Sequence, residues 1–284
     1  MDEIVFTAKN QQLTISNSWE GLTPAQYIHL VEWLQQMTLG ELNYDEVRMR
    51  LICDMAGWNL HRITDEDALA NLLMMAERIT FPLTADGDRL ELNLNWFAQL
   101  LPSVVIGGTA YRGYRADMKH GALYCSLTAL QYIEARELIN RGAQTLPLLA
   151  AILYCPGDYD SGKAMQLADT MAQLPATTLS AIQWNFLAVH TFLMTRTPFS
   201  LLTRFEQKPS TATIVTDSTD SLYDLCADGV GNHREVELMN MLTYLRLLRK
   251  KTIDGVRQMR QAKMDTPAIS TETGLPLEVI NEII

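Results

Sequence analysis

Long apolar runs are scarce in this chain of 284 residues. The longest, Leu146 to Cys155, covers ten residues and contains a proline. A bilayer-spanning helix needs roughly 20. The chain opens Met-Asp-Glu and runs straight into Ile4-Val5-Phe6, without the basic-then-apolar start of a secretory signal. The expectation is a soluble protein that stays in the cytoplasm. Cysteine is sparse as well. Cys53, Cys125, Cys155 and Cys226 lie far apart, so the chain has no CxxC pair. That pattern excludes a zinc knuckle or a redox dithiol and predicts four reduced thiols. There is no HExxH and no GxSxG elbow, and the five histidines (29, 61, 120, 190, 233) are scattered. Positive charge is in deficit: 23 Lys+Arg stand against 33 Asp+Glu, for a net charge of −10. This excludes a wholesale polyanion binder but leaves room for a local basic face.

What is present is ordinary globular material, 48% hydrophobic and 20% charged. Two short strands are predicted at 4–6 and 13–15 around the polar turn 9–12. Thr23-Pro24-Ala25-Gln26 reads as a capping box with proline at the first helical position, opening a helix to about Met37. Further helices are predicted at 44–56, ending at Gly57, and from Thr64-Asp65-Glu66-Asp67 to about Arg78. Alternation at 79–83 and 89–94 around Ala85-Asp86-Gly87-Asp88 predicts a hairpin. A short helix is expected at 95–100. Gly107-Gly108 reads as a soft boundary, beyond which helices dominate. They fall at 128–140, 146–154, 162–173 and 178–195, in a short one starting at Pro198, at 220–227, and then in one long helix from about Asn232 to Lys263. Residues 207–220 read as a loop. The fold class is therefore mainly α, a multi-helical bundle with one or two small antiparallel β-hairpins in the N-terminal third. The expected organisation is a helical lobe with hairpins at 1–106, a second helical lobe at 107–263 and a short helical tail at 264–284.

Candidate chemistry is thin. Gly157-Asp158-Tyr159-Asp160-Ser161-Gly162-Lys163 fits the GxxxxGK phosphate loop, which makes nucleotide binding an alternative reading. Against it, Ala164 replaces the magnesium-holding Ser/Thr, two aspartates oppose phosphate, and no βαβ pattern surrounds it. Asp158 and Asp160 lack the remaining ligands of a calcium loop. His29 and Glu32, at i and i+3, make half of a carboxylate metal site at best. Tyr111-Arg112-Gly113-Tyr114-Arg115 mixes basic and aromatic groups, but over too short a span to specify single-strand binding. No catalytic residue, cofactor or metal is expected, and the protein reads as non-enzymatic.

The charge distribution is more informative. Residues 1–100 carry net −9, 101–200 net +1 and 201–284 net −2. Within 246–263, Arg246, Arg249, Lys250, Lys251, Arg257, Arg260 and Lys263 face Asp254 alone. This basic stretch suits a solvated helix end, a protein-binding helix or, as a further alternative, a nucleic-acid adaptor. The tail outlines a helix-turn-helix about Gly274-Leu275-Pro276. Its last helix has two acids and no base, so it would repel phosphate, whereas Leu277, Ile280 and Ile284 share one side. The candidate partner-binding residues are Arg249, Lys250, Arg257, Arg260, Leu277, Ile280 and Ile284.

Several stretches also carry a resemblance. They are Ser18-Trp19-Glu20-Gly21-Leu22-Thr23-Pro24-Ala25-Gln26, Leu127-Thr128-Ala129-Leu130-Gln131-Tyr132, Leu149 to Pro156, and Trp184-Asn185-Phe186. In this order, over roughly residues 15–260, the chain resembles a group of helical proteins in phages and prophages of Bacteroidetes. Some of that group look like tail assembly chaperones encoded near the tape-measure protein. Cys155 stands where that group has an arginine before the proline. The resemblance implies a cytoplasmic accessory factor that covers apolar stripes of a long helical tail protein until it polymerises. It implies no catalytic residues.

Overall fold

A computed structural model describes residues 3–8, 11–86, 89–204 and 219–284 of the chain. It is mainly helical, with four two-stranded antiparallel hairpins in the N-terminal half. Strands β1 (Glu3–Ala8) and β2 (Gln11–Ser16) pair with Ile4 opposite Ile15, and both side chains are buried. Helix α1 (Pro24–Thr38) opens on the Thr23/Gln26 capping box and turns Tyr27, Leu30, Val31 and Leu34 inward. The box satisfies two backbone N–H groups that the first helical turn otherwise leaves unpaired. Helix α2 (Tyr44–Ala56) has its own box, Asn43/Glu46, and stops at Gly57, which takes the left-handed conformation (φ +69°). Helix α3 (Glu66–Ala76) is capped by Asp65. Strands β3 (Leu83–Asp86) and β4 (Arg89–Leu92) form the hairpin expected there. The turns expected at 9–12 and 85–88 lie partly outside the described residues, as do residues 207–218 of the expected loop.

Three expectations are corrected. No helix forms at 95–100. Asn185 occupies that backbone instead: its Oδ1 accepts from Leu100 N at 2.8 Å and its Nδ2 donates to Ala98 O at 2.7 Å. Gln99 N donates to Ala116 O at 2.9 Å, so long-range bonds replace helical ones. Second, the strands do not fade at Gly107-Gly108. That pair is the turn between β5 (Ser103–Ile106) and β6 (Thr109–Arg112), and His120-Gly121 is the turn between β7 (Ala116–Lys119) and β8 (Ala122–Cys125). All four turn residues have positive φ, between 51° and 81°, as two-residue type I′ turns require.

The remaining helices are α4 (Ala129–Leu138), α5 (Leu146–Leu153), α6 (Ser161–Met171), α7 (Ala176–Arg196), α8 (Asp220–Ala227), α9 (His233–Leu238), α10 (Met241–Gln261), α11 (Thr266–Thr273) and α12 (Leu277–Ile283), with a 3-10 segment at Pro198–Thr203 after α7. The third correction lies between α9 and α10, where one long helix was expected. Residues 239–241 leave the helical path to bond with 127–129. Ala129 N donates to Met239 O at 2.8 Å and Met241 N to Leu127 O at 2.9 Å. Asn240 then caps α10 through Leu242 N and donates to Cys125 O at 2.5 Å.

A single apolar core runs from Ile4 to Leu245 and crosses position 106/107 without a break. Tyr27 Oη in α1 donates to Ala181 O in α7 at 2.8 Å across that position. A second, smaller core joins Leu201, Val256, Ile269, Leu275, Val279 and Ile280. Among the described residues, no helix is long and apolar enough to cross a membrane.

Candidate functional site

The sequence candidates fall on and around α10. This helix packs on α4, the 3-10 segment, α11 and α12. Two rows of its side chains line two clefts. Tyr244, Leu248, Thr252 and Val256 recur at four-residue spacing and face a cleft of about 520 Å³. Arg249, Ile253 and Arg257, also at four-residue spacing, face a second of about 280 Å³. The 3-10 segment contributes to both: Leu202 and Thr203 to the larger, Pro198, Ser200 and Leu201 to the smaller. Pro198 is pre-set for its first position, and the Thr197 hydroxyl oxygen accepts from Phe199 N.

The smaller cleft brings together two of the expected partner-binding residues, Arg249 and Arg257, and adds Arg204, which the sequence reading passed over. Arg204 pairs with Glu282 of α12 at 3.4 Å. Arg249 Nε is buried without a hydrogen-bond partner. The apolar lining comes from Leu201, Ile253, Val279 and Ile283. Lys250 and Arg260 are exposed and do not line this cleft, and Arg260 donates to Met264 O at 3.3 Å, closing the helix end. Lys251 is committed to the protein itself, 2.8 Å from Asp228 and 3.6 Å from Asp224. The apolar stripe of the last helix is divided. Ile280 is fully buried in the small core, while Leu277 and Ile284, near its two ends, are 47% and 53% exposed. Ile280 is therefore not available as an open docking contact, because α12 needs it to close on Val256 and Ile269.

The larger cleft is walled by Met194, Leu202, Leu245, Leu248 and Val256, with Arg136, His190, Tyr244 and Lys251 as its chargeable members and Thr203, Thr252 and Thr273 as further polar ones. His190 Nδ1 lies 2.9 Å from the Tyr132 hydroxyl. Burial, helped by the Arg136 charge, lowers the His190 pKa to about 4, so the ring is neutral near pH 7. Burial also raises the Tyr244 pKa, and its hydroxyl lies 2.7 Å from Ser221 Oγ. These residues come from α4, α7, α10 and the 3-10 segment. No local motif marks them, and the sequence reading missed them as a site.

The Gly157–Lys163 loop is wired inward. The Tyr159 side chain is buried, and its hydroxyl and that of Ser161 both donate to the Glu134 carboxylate. Burial first, and then Glu134, holds the Tyr159 pKa well above the ordinary tyrosine range. Arg234 donates to Tyr159 O at 3.1 Å. Asp160 Oδ1 accepts from Lys163 N at 3.0 Å, taking an amide that a phosphate cradle would present to its ligand. His29 contacts Asp54 of α2 at 3.1 Å rather than Glu32. Among the described residues, no group of three or more His, Cys, Asp or Glu could hold a metal ion. Tyr114 is buried and Tyr111 half-buried, so the basic-aromatic run offers no open stacking surface. The Cys125 thiol is buried, which pushes its pKa up to about 12, far from the thiolate a nucleophile needs.

Comparison with family models, curated proteins and solved structures finds no match to this chain.

Proposed function

We propose that this protein is a non-enzymatic accessory factor of the phage or prophage type, which binds a helical structural protein. The smaller cleft beside α10 carries the reading. It sets Arg204, Arg249 and Arg257 over an apolar lining, with Glu282 the one carboxylate among the described residues that line it. That chemistry suits an amphipathic helix with acidic flanks: its apolar stripe lies on Ile253 and Val279, and its carboxylates meet the arginines. Arg249 Nε gains the partner it lacks. Exposed Leu277 and Ile284 extend the contact along α12. The resemblance of the sequence to phage and prophage proteins supports a tail protein of tape-measure type as that partner, bound in the cytoplasm before assembly.

The test is co-expression of the full chain with the tape-measure-type protein of the same phage or prophage, read by gel filtration. Co-elution that is lost in the R249Q/R257Q double variant supports the reading. Separate elution of the two proteins, or a complex indifferent to the double variant, rejects it.

A further inference from the structure

The larger cleft lies on a different row of α10 and asks for a different ligand. Its volume of about 520 Å³ falls within the usual range of small-molecule sites. Among the described residues that line it there is no Asp or Glu. Its cations are Arg136 and Lys251, and Lys251 is already paired with Asp224 and Asp228. Arg136 is placed differently. No carboxylate among the described residues forms an ion pair with it, and its charge reaches His190, Tyr132 and Tyr244.

Arg136 and His190 line the same cleft, with Met194, Leu202, Leu248 and Val256 supplying the apolar walls, and His190 Nδ1 is held 2.9 Å from the Tyr132 hydroxyl. The Thr252 and Thr273 hydroxyls do not compete, since each donates within its own helix, to Leu248 O and Ile269 O.

We propose that this cleft binds a small organic acid, with its carboxylate on Arg136 and its apolar body along Met194, Leu202, Leu248 and Val256. The site is independent of the helix-binding cleft, and either can fail without the other.

The test is titration calorimetry of the full chain with decanoate below its micelle concentration, with decanol and decyltrimethylammonium as matched neutral and cationic probes. Decanoate is expected to bind about tenfold or more tightly than either, and R136Q to lose that preference. Arg136 is exposed, so R136Q keeps the fold, and K119Q, on the distant β7–β8 turn, serves as the charge control. Equal binding of decanoate and decanol, full decanoate affinity in R136Q, or no binding up to about 1 mM overturns the proposal.

Discussion

The two cores of this molecule are built on different principles. The large one is tied across long sequence distances by buried side-chain bonds to backbone. Tyr27 reaches Ala181, Tyr154 reaches Leu101 at 2.6 Å, Gln131 reaches Ile152 at 3.1 Å, and Asn185 holds both Ala98 and Leu100. The small one is made of apolar contacts among α10, α11, α12 and Leu201. Its polar bonds are local, such as Ser270 Oγ to Leu275 O at 2.7 Å, or exposed, such as the Arg204–Glu282 pair. Satisfied buried polar groups specify one arrangement, because any slip leaves donors unpaired in a dry interior. Apolar contacts alone tolerate small shifts better. The difference places a firm scaffold next to a smaller unit. The larger cleft lies where the two meet, with Val256 of the small core beside Met194 of the large one, whereas the smaller cleft lies against the small core through Leu201, Ile253, Val279 and Ile283.

The strongest way to break this comparison is to remove one anchor from each core. Phe186 is fully buried and meets Tyr114 and Tyr132 edge to face. Phe186→Ala is expected to lower global stability by about 3–5 kcal/mol in urea unfolding. Ile280→Ala is expected to cost about 2–4 kcal/mol, read mainly as faster amide exchange in α11 and α12. Equal loss of protection in α7 after Ile280→Ala would show that the two cores open as one.

Acid offers a second probe, because His190 borders both cores. Its folded pKa of about 4 lies below the ordinary histidine value of about 6.5. Between these values the unfolded chain binds a proton that the folded chain does not. Stability therefore rises with pH across that window and is lost as pH falls through it. The expected loss from pH 6.5 to 4 is on the order of 2–3 kcal/mol from this group. His190→Asn should flatten that part of the pH profile, and an unchanged slope would assign it to other groups.

The smallest expected effects sharpen the same contrast. Thr128 completes the capping box of α4 and Asp265 caps α11. Alanine at either should cost about 1 kcal/mol. The Thr128 loss should appear in the global transition, and the Asp265 loss only in exchange from α11 and α12.

Much of the fold was readable because its signals are local. Thr23/Gln26 and Thr128/Gln131 announced helix starts through side chains that bond their own backbone, and Gly57 announced a stop. The β5–β6 and β7–β8 hairpins were missed because four-residue strands show little alternation and neither pair has the Asp-Gly turn that marked the equally short β3–β4 pair. Gly107-Gly108 carried the turn signal but read equally well as a boundary. The candidate site was less legible. The basic character of α10 was plain, yet which arginines share a cleft depended on Arg204 and Glu282, from segments far apart in the chain.

By itself the sequence determined helix starts and stops, the inward stripes, the acidic N-terminal third and the basic α10, since these depend on neighbours within a turn or two. Only the tertiary structure decided that Asn185 would hold residues 98–100 out of a helix. It also decided that Asn240 would break the long helix against Cys125, that Ile280 would be buried, and that Arg136 would stand beside His190. Each of those outcomes is a competition between a local bond and a distant partner, and the distant partner enters only when the chain has folded.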